Sequence, residues 1–151
     1  MITYQVEKFA DVPRSETDGL FRIHWEEIAL DKDSIPLDID YDRYLSLEQE
    51  GHLHVVTARD NGRLIGYYSA IIGPHLHYKG TKMAHTDVYF VIPEYRLTRV
   101  GMSLFIFAEK TLRDRGDIVK MLSSTKIHQD HGRLFEALKW NEVERLYTKV
   151  L

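Results

Sequence analysis

Two β-rich runs, Leu53–Arg59 and Arg63–Ile72, stand on either side of Asp60-Asn61-Gly62. No other feature of the chain restricts its fold as much. Asn-Gly suits a tight turn whose two central residues both need positive φ, and such a turn matches the right-handed twist of its flanking strands. The middle of the chain is therefore an antiparallel hairpin, and the remaining elements have to pack around it.

On the N-terminal side, Ile2–Phe9 alternates polar and apolar residues in its middle and reads as a strand. From Asp11 to Ala29 the spacing becomes helical, with Leu20, Ile23, Trp25 and Ile28 gathered towards one side and Pro13 tolerated in the first turn. Pro36 and its turn-forming neighbours break the pattern between Asp31 and Asp40. A second helix is expected over Tyr41–Glu50, stopped by Gly51. Beyond the hairpin, Met83–Ile92 reads as a strand ended by Pro93. Val100–Arg115 carries the strongest helical signal: Gly101, Leu104, Phe105, Ala108 and Leu112 share one face, and Gly116 stands where a C-terminal cap belongs. A short strand over Lys120–Ser124, a short helix over His131–Lys139 and a final strand over Val143–Val150 complete the order β-α-α-β-β-β-α-β-α-β. That order indicates an α/β fold with a mixed sheet flanked by helices.

The 151 residues show no repeat, linker or low-complexity tract and suit one domain, 1–151. Lys+Arg 20 against Asp+Glu 23 leaves a formal charge of −3, which argues against a broad nucleic-acid or anionic-membrane surface. The absence of cysteine removes disulfides, thiolate nucleophiles and cysteine-ligated zinc. The first residues lack the basic end and apolar run of a signal peptide, and no stretch approaches a membrane span, so a cytoplasmic location is expected.

The segment that carries chemistry is Val91-Ile92-Pro93-Glu94-Tyr95-Arg96-Leu97-Thr98-Arg99-Val100-Gly101-Met102. A strand ends, a proline turn follows and a long helix begins. Free N–H groups at a helix start, helped by the helix dipole, favour an anion. Arg96 and Arg99 add positive charge there. Spacing alone equally allows an ordinary strand-to-helix connection with two solvated arginines.

The same segment resembles the acetyl-CoA-binding motif of the GNAT superfamily N-acetyltransferases. Pro93, Glu94, Tyr95, Arg96 and Gly101 match that motif, whereas Arg99 and Leu97 stand where glycines are common. The pyrophosphate-binding motif is in that sense degenerate. The element order resembles the family over nearly the whole chain. The resemblance implies a splayed sheet in which backbone N–H groups from Leu97 through Thr98, Arg99, Val100 and Gly101 to Met102 hold the pyrophosphate of coenzyme A, beside Arg96. It also implies that Phe90, Val91 and Ile92 pair with the pantetheine arm.

For transfer to an amine, the resemblance points to Asp87 as the base, with His85 as a second candidate. Strict alternation would put His85, Asp87 and Tyr89 on one face. Read alone, Asp87 is equally an arginine partner on the sheet face. The usual tyrosine acid is replaced by Phe135, and His128 falls where the family carries an asparagine that touches the cofactor. His128 is therefore a candidate proton donor or pantetheine contact. For the acceptor side, Trp25, Glu26, His75, His77 and Tyr89 are the candidates. His52-x-His54 and His75-x-His77 lack a third metal ligand, so no metal is expected.

The expected activity is N-acetylation of a primary amine, on a small molecule or a protein, by direct attack in a ternary complex with acetyl-CoA. The alternative is an inactive module of the same fold that binds coenzyme A or a partner protein. The resemblance is also compatible with a homodimer.

Overall fold

The computed structural model describes residues 1–151. Five strands form one sheet in sequence order: β1 (Ile2–Val6), β2 (Leu53–Asp60), β3 (Arg63–His75), β4 (Tyr78–Val91) and β5 (Ile118–Leu122). The first four run antiparallel and β5 joins β4 in parallel. Helices α1 (Arg14–Ile28) and α2 (Tyr41–Gln49) lie over one face. Helix α3 (Val100–Asp114) packs on the other, with the short α4 (Gly132–Ala137) beside it. No helix is long and apolar enough to cross a membrane.

The hairpin forms as its turn requires. Asn61 and Gly62 have φ of 48° and 88°, and Asp60 pairs with Arg63 to close a two-residue loop. Asp40 caps α2 by accepting the Arg43 N–H at 2.8 Å, and Gly51 follows in the left-handed region. The apolar stripe of α3 buries Val100, Leu104, Phe105, Ala108 and Leu112 against the sheet. Gly116, at φ 75°, ends it.

Three expectations need correction. Strands β3 and β4 run past their expected ends at Ile72 and Met83, to His75 and back to Tyr78, so Pro74-His75-Leu76-His77 forms the tip of a long hairpin. A separate turn, Phe9–Asp11, takes the end of the expected strand Ile2–Phe9 and the start of the expected helix, so β1 stops at Val6 and α1 begins at Arg14. The strand expected over Val143–Val150 does not form: residues 141–151 are exposed and make no hydrogen bond. Their alternating pattern suits a strand, but alternation supplies no partner, and the outer edge of β5 is unpaired in the same structure.

Two histidines are core residues. His54 faces α3, its Nε2 2.8 Å from Thr111 Oγ1, and His24 on α1 places Nδ1 3.0 Å from Tyr67 Oη. Burial holds the pKa of each down to about 4, with Arg115 adding to the effect at His54 and Arg96 and His131 at His24. Between pH 6.5 and about 4 the unfolded chain therefore binds protons that the folded one refuses, and stability falls as pH drops through that window. In urea titrations His54→Gln should flatten this loss by up to about 1.4 kcal/mol per pH unit relative to the parent. An unaltered slope would show that His54 titrates freely.

Gly66 admits no side chain. A Cβ there would lie 2.9 Å from the Phe90 carbonyl oxygen and 3.2 Å from Val91 Cγ2. Gly66→Ala should cost about 1–3 kcal/mol, read as a lowered urea midpoint at constant m; an unchanged midpoint would mean that β4 can yield.

Candidate active site

Strand β5 pairs with β4 only from Lys82 to His85, after which the two strands part. From Thr86 to Val91 the β5-facing edge of β4 is therefore free, and a cleft opens between them. At the start of the cleft the pairing of β4 with β3 also changes: Ser69 faces Val88 and Ala70 faces Thr86, leaving Asp87 as the extra residue of a bulge. A bulge re-aims the side chain it carries. The Asp87 carboxylate accepts hydrogen bonds through Oδ2 from the Tyr44 hydroxyl and from Ser69 Oγ, the latter at 3.1 Å. Oδ1 takes part in no bond within the protein. No arginine pairs with it, so the ion-pair alternative for Asp87 is not what the fold builds. Burial, and then Asp87 itself, raise the Tyr44 pKa, which keeps its hydroxyl a donor.

The bulge also breaks the expected alternation. His85 pairs with Ile71 on the face of Ser69 and Asp87. Tyr89 lies on the opposite face, its ring edge-on to Phe105 and His131. Its hydroxyl is next to Gly101, and burial pushes its pKa up to about 12. Tyr89 therefore stands on the α3 side and not with the acceptor-side candidates. Phe90 returns to the α1 face, where it stacks on Tyr67 and approaches His24.

The strand-to-helix turn presents four free amide donors. The N–H groups of Leu97, Arg99, Gly101 and Met102 make no hydrogen bond within the protein, while those of Thr98 and Val100 are used by Tyr95 O and Thr98 Oγ1. Arg99 has φ −79° and ψ −1°, ordinary helical values, and its exposed guanidinium makes no ion pair or hydrogen bond. Arg96 is engaged instead: it holds Glu27 of α1 at 2.7 Å and donates through Nε to Val91 O at 2.8 Å. Since Ile92 N–H donates to Ile65 O on the β3 side, the N–H of Val91 points to the free edge.

The donor set suits a diphosphate with an extended tail beyond it: free amides and a free guanidinium at the helix start, continuous with an unpaired strand edge. The carbonyl of Val91 lies on that edge and is already taken by Arg96.

His128 Nε2 lies 3.0 Å from Glu27 O, a carbonyl, so Nε2 carries the proton. Glu27 thus bridges Arg96 on one side of the cleft and His128 on the other. Glu26 is paired with Lys32, which also stands 5.3 Å over the Trp25 ring. His75 and His77 sit at the hairpin tip, where His75 Nδ1 accepts the His77 N–H. Six residues of β3, roughly 20 Å of strand, separate His75 from Ser69. Neither joins the group around Asp87. Phe135 packs on Phe105 and Trp140, with no hydroxyl towards the cleft.

Between α1, α2 and the sheet lies a chamber of about 200 Å³. Trp25 and Tyr44 line it, as do Ser69 and Val88, which flank Asp87 in the bulge. His24 and Tyr67 form its polar end near Phe90, and sequence reasoning missed Tyr67 and Ser69. Nothing in residue spacing marks these two, because it is the β3 register that carries Ser69 to Asp87 and Tyr67 to the neighbouring Phe90.

The profile of the Acetyltransferase (GNAT) family matches residues 17–138. No curated protein matches the chain. Among solved structures, an acetyltransferase from Trypanosoma brucei is 16% identical with a TM-score of 0.71, all of each chain being covered. A transcriptional regulator from Bacillus halodurans is 15% identical with a TM-score of 0.77, again over the whole of both chains. AAC(6')-Iy in complex with a bisubstrate analogue of coenzyme A is 20% identical with a TM-score of 0.63, covering 100% of this chain and 98% of that one. These likenesses show the fold, and the match across 17–138 shows more: the chain belongs to the GNAT acetyltransferase family.

Proposed function

We propose that the protein transfers the acetyl group of acetyl-CoA to a primary amine by direct attack in a ternary complex. Acetyl transfer is the chemistry of the family. The observation that carries the amine reading is Asp87: a carboxylate with one free oxygen, on a bulge, where the cleft between β4 and β5 opens.

The free amides of Leu97, Arg99, Gly101 and Met102, together with Arg99, take the diphosphate. The arm of the co-substrate runs along the free edge of β4. An amine of pKa near 10.4 arrives largely protonated. Asp87 Oδ1 attracts the ammonium and receives its proton through water, while the hydroxyls of Tyr44 and Ser69 keep the carboxylate in place. The amine nitrogen then bonds to the thioester carbonyl carbon, gives up its second proton to water in the cleft, and the C–S bond breaks with its electron pair on sulfur. The N–H of Val91, aimed at the free edge, is placed to stabilise the oxyanion. A thiol of pKa near 8.5 leaves as thiolate without an acid, which fits Phe135 in place of a tyrosine. His128, its Nε2–H held by Glu27, acts in this scheme as a clasp over the cleft.

Two substitutions separate chemistry from binding. Asp87→Asn should lower turnover by roughly a hundredfold with acetyl-CoA affinity unchanged by calorimetric titration; unaltered turnover removes Asp87 from the mechanism. Arg99→Glu should raise the Kd for acetyl-CoA about tenfold or more without lowering the urea midpoint, since the Arg99 guanidinium makes no hydrogen bond or ion pair and negative charge suits a helix start. Equal affinity would place the phosphates elsewhere. A module that binds but does not catalyse would show affinity and release no thiol with any amine.

A further inference from the structure

The chamber beneath α1 does nothing in the scheme above except adjoin Asp87, yet its walls restrict what can enter it. We propose that the acceptor is a primary arylalkylamine bearing a ring hydroxyl, with its ammonium at Asp87, its ring in the chamber and its hydroxyl at Thr57. The proposal rests on the acetyl-transfer reading and adds the substrate class.

Size comes first. A cavity of about 150 Å³ lined by apolar side chains holds benzene; this one, at about 200 Å³, has room for a ring and a short chain. Its walls come next. Phe21, Ile28, Leu37, Val55 and Leu64 are apolar, and thirteen of the seventeen lining residues are hydrophobic. The polar lining groups are mostly satisfied: Ser69 by Asp87, His24 by Tyr67, and Thr17 by the Arg14 carbonyl at 3.4 Å. Thr57 is the exception. Its residue is 1% exposed and Oγ1 completes no hydrogen bond, although the hydroxyl stands near enough to the Glu7 carboxylate to help lower that group's pKa. A buried hydroxyl left unpaired is costly, so a ligand atom there would recover a bond.

The sheet register sets the spacing of the two polar ends. Thr57 is opposite Tyr67 and Val55 is opposite Ser69, so Thr57 lies two residues, roughly 7 Å, along the strands from the level of the Asp87 bulge. Other amine classes fit badly. A polyamine would bury a second ammonium where the nearby carboxylate, Glu7 beside Thr57, is already held by Arg59, and an aminosugar would bring several hydroxyls to one spare partner.

The test compares tyramine with phenethylamine, spermidine, glucosamine and a lysine peptide. It measures thiol release from acetyl-CoA and, separately, binding of each amine to the protein saturated with coenzyme A. Tyramine should exceed spermidine and glucosamine in kcat/KM by at least about tenfold, and exceed phenethylamine by about tenfold. Thr57→Val, nearly isosteric, should erase the advantage of tyramine over phenethylamine. Leu37→Asn, on the exposed loop that roofs the chamber, should raise KM for tyramine about tenfold without changing acetyl-CoA affinity. Faster transfer to spermidine, glucosamine or the peptide overturns the substrate class and leaves acetyl transfer standing. Equal use of tyramine and phenethylamine overturns the role of Thr57. Tyramine that binds beside coenzyme A but never releases thiol overturns the acetyl-transfer reading and keeps the chamber. Absence of both binding and transfer overturns both.

Discussion

The parting of β4 from β5 after His85 governs the rest of this structure. Parallel pairing covers only Lys82 to His85, and the bulge at Asp87 follows within two residues. A bulge bends its strand and adds right-handed twist, so the edge of β4 swings away from β5 where the extra residue sits. One backbone irregularity then has three effects. It opens the cleft, it turns Asp87 towards Tyr44 and Ser69, and it reverses the side on which Tyr89 emerges. An unbroken strand would pair along its length and leave no place for an extended ligand.

Helix α1 completes the site by bridging over the sheet, which it meets through Phe21 and His24 against Tyr67 and Phe90. It buries only Thr17 and His24. Its first turn is held by Arg59, which bonds Glu16 at 2.6 Å and Glu7 at 3.1 Å with a side chain 12% exposed. Its last turn is held by Arg96 through Glu27. Shielded, multiply bonded guanidinium groups hold more firmly than solvated pairs. The helix is thus fixed at both ends and rests on the sheet through Phe21 and His24, and the chamber is the space left beside these contacts. An apolar ligand there would supply burial that the helix alone does not.

The parts of the fold legible in the sequence were those written in short-range chemistry. Asn61-Gly62 dictates its turn through positive φ, and the stripe from Val100 to Leu112 dictates a buried helix face. The site was half legible. Asp87 and the helix start carry their signal in residue type and position, and both lie at the cleft. The bulge does not, because it arises from how β3 and β4 register over a distance; Tyr89 was assigned to the wrong face for that reason alone. His24 and Tyr67 looked like ordinary members of a helix and a strand until the fold set them 3.0 Å apart. The alternation of Val143–Val150 failed in the opposite way, since a strand pattern states a capacity for pairing and β5 is not met by it.

Arg99 and Gly101 show that a motif position has to be read for what it does in this chain. A glycine at position 99 would be needed if the turn required positive φ, but φ is −79° there and arginine is unstrained. The turn therefore keeps its free amides and gains a guanidinium. Gly101 is constrained from the other side. A Cβ would meet the Tyr89 hydroxyl at 2.6 Å, so the residue is small because α3 closes on a tyrosine of the sheet. Substituting Gly101 disturbs that packing as well as any anion above it, whereas the Arg99 guanidinium makes no hydrogen bond or ion pair within the fold. Of the two, Arg99 can be changed without disturbing that packing, so the departure from the family pattern, not the motif glycine, separates binding from folding.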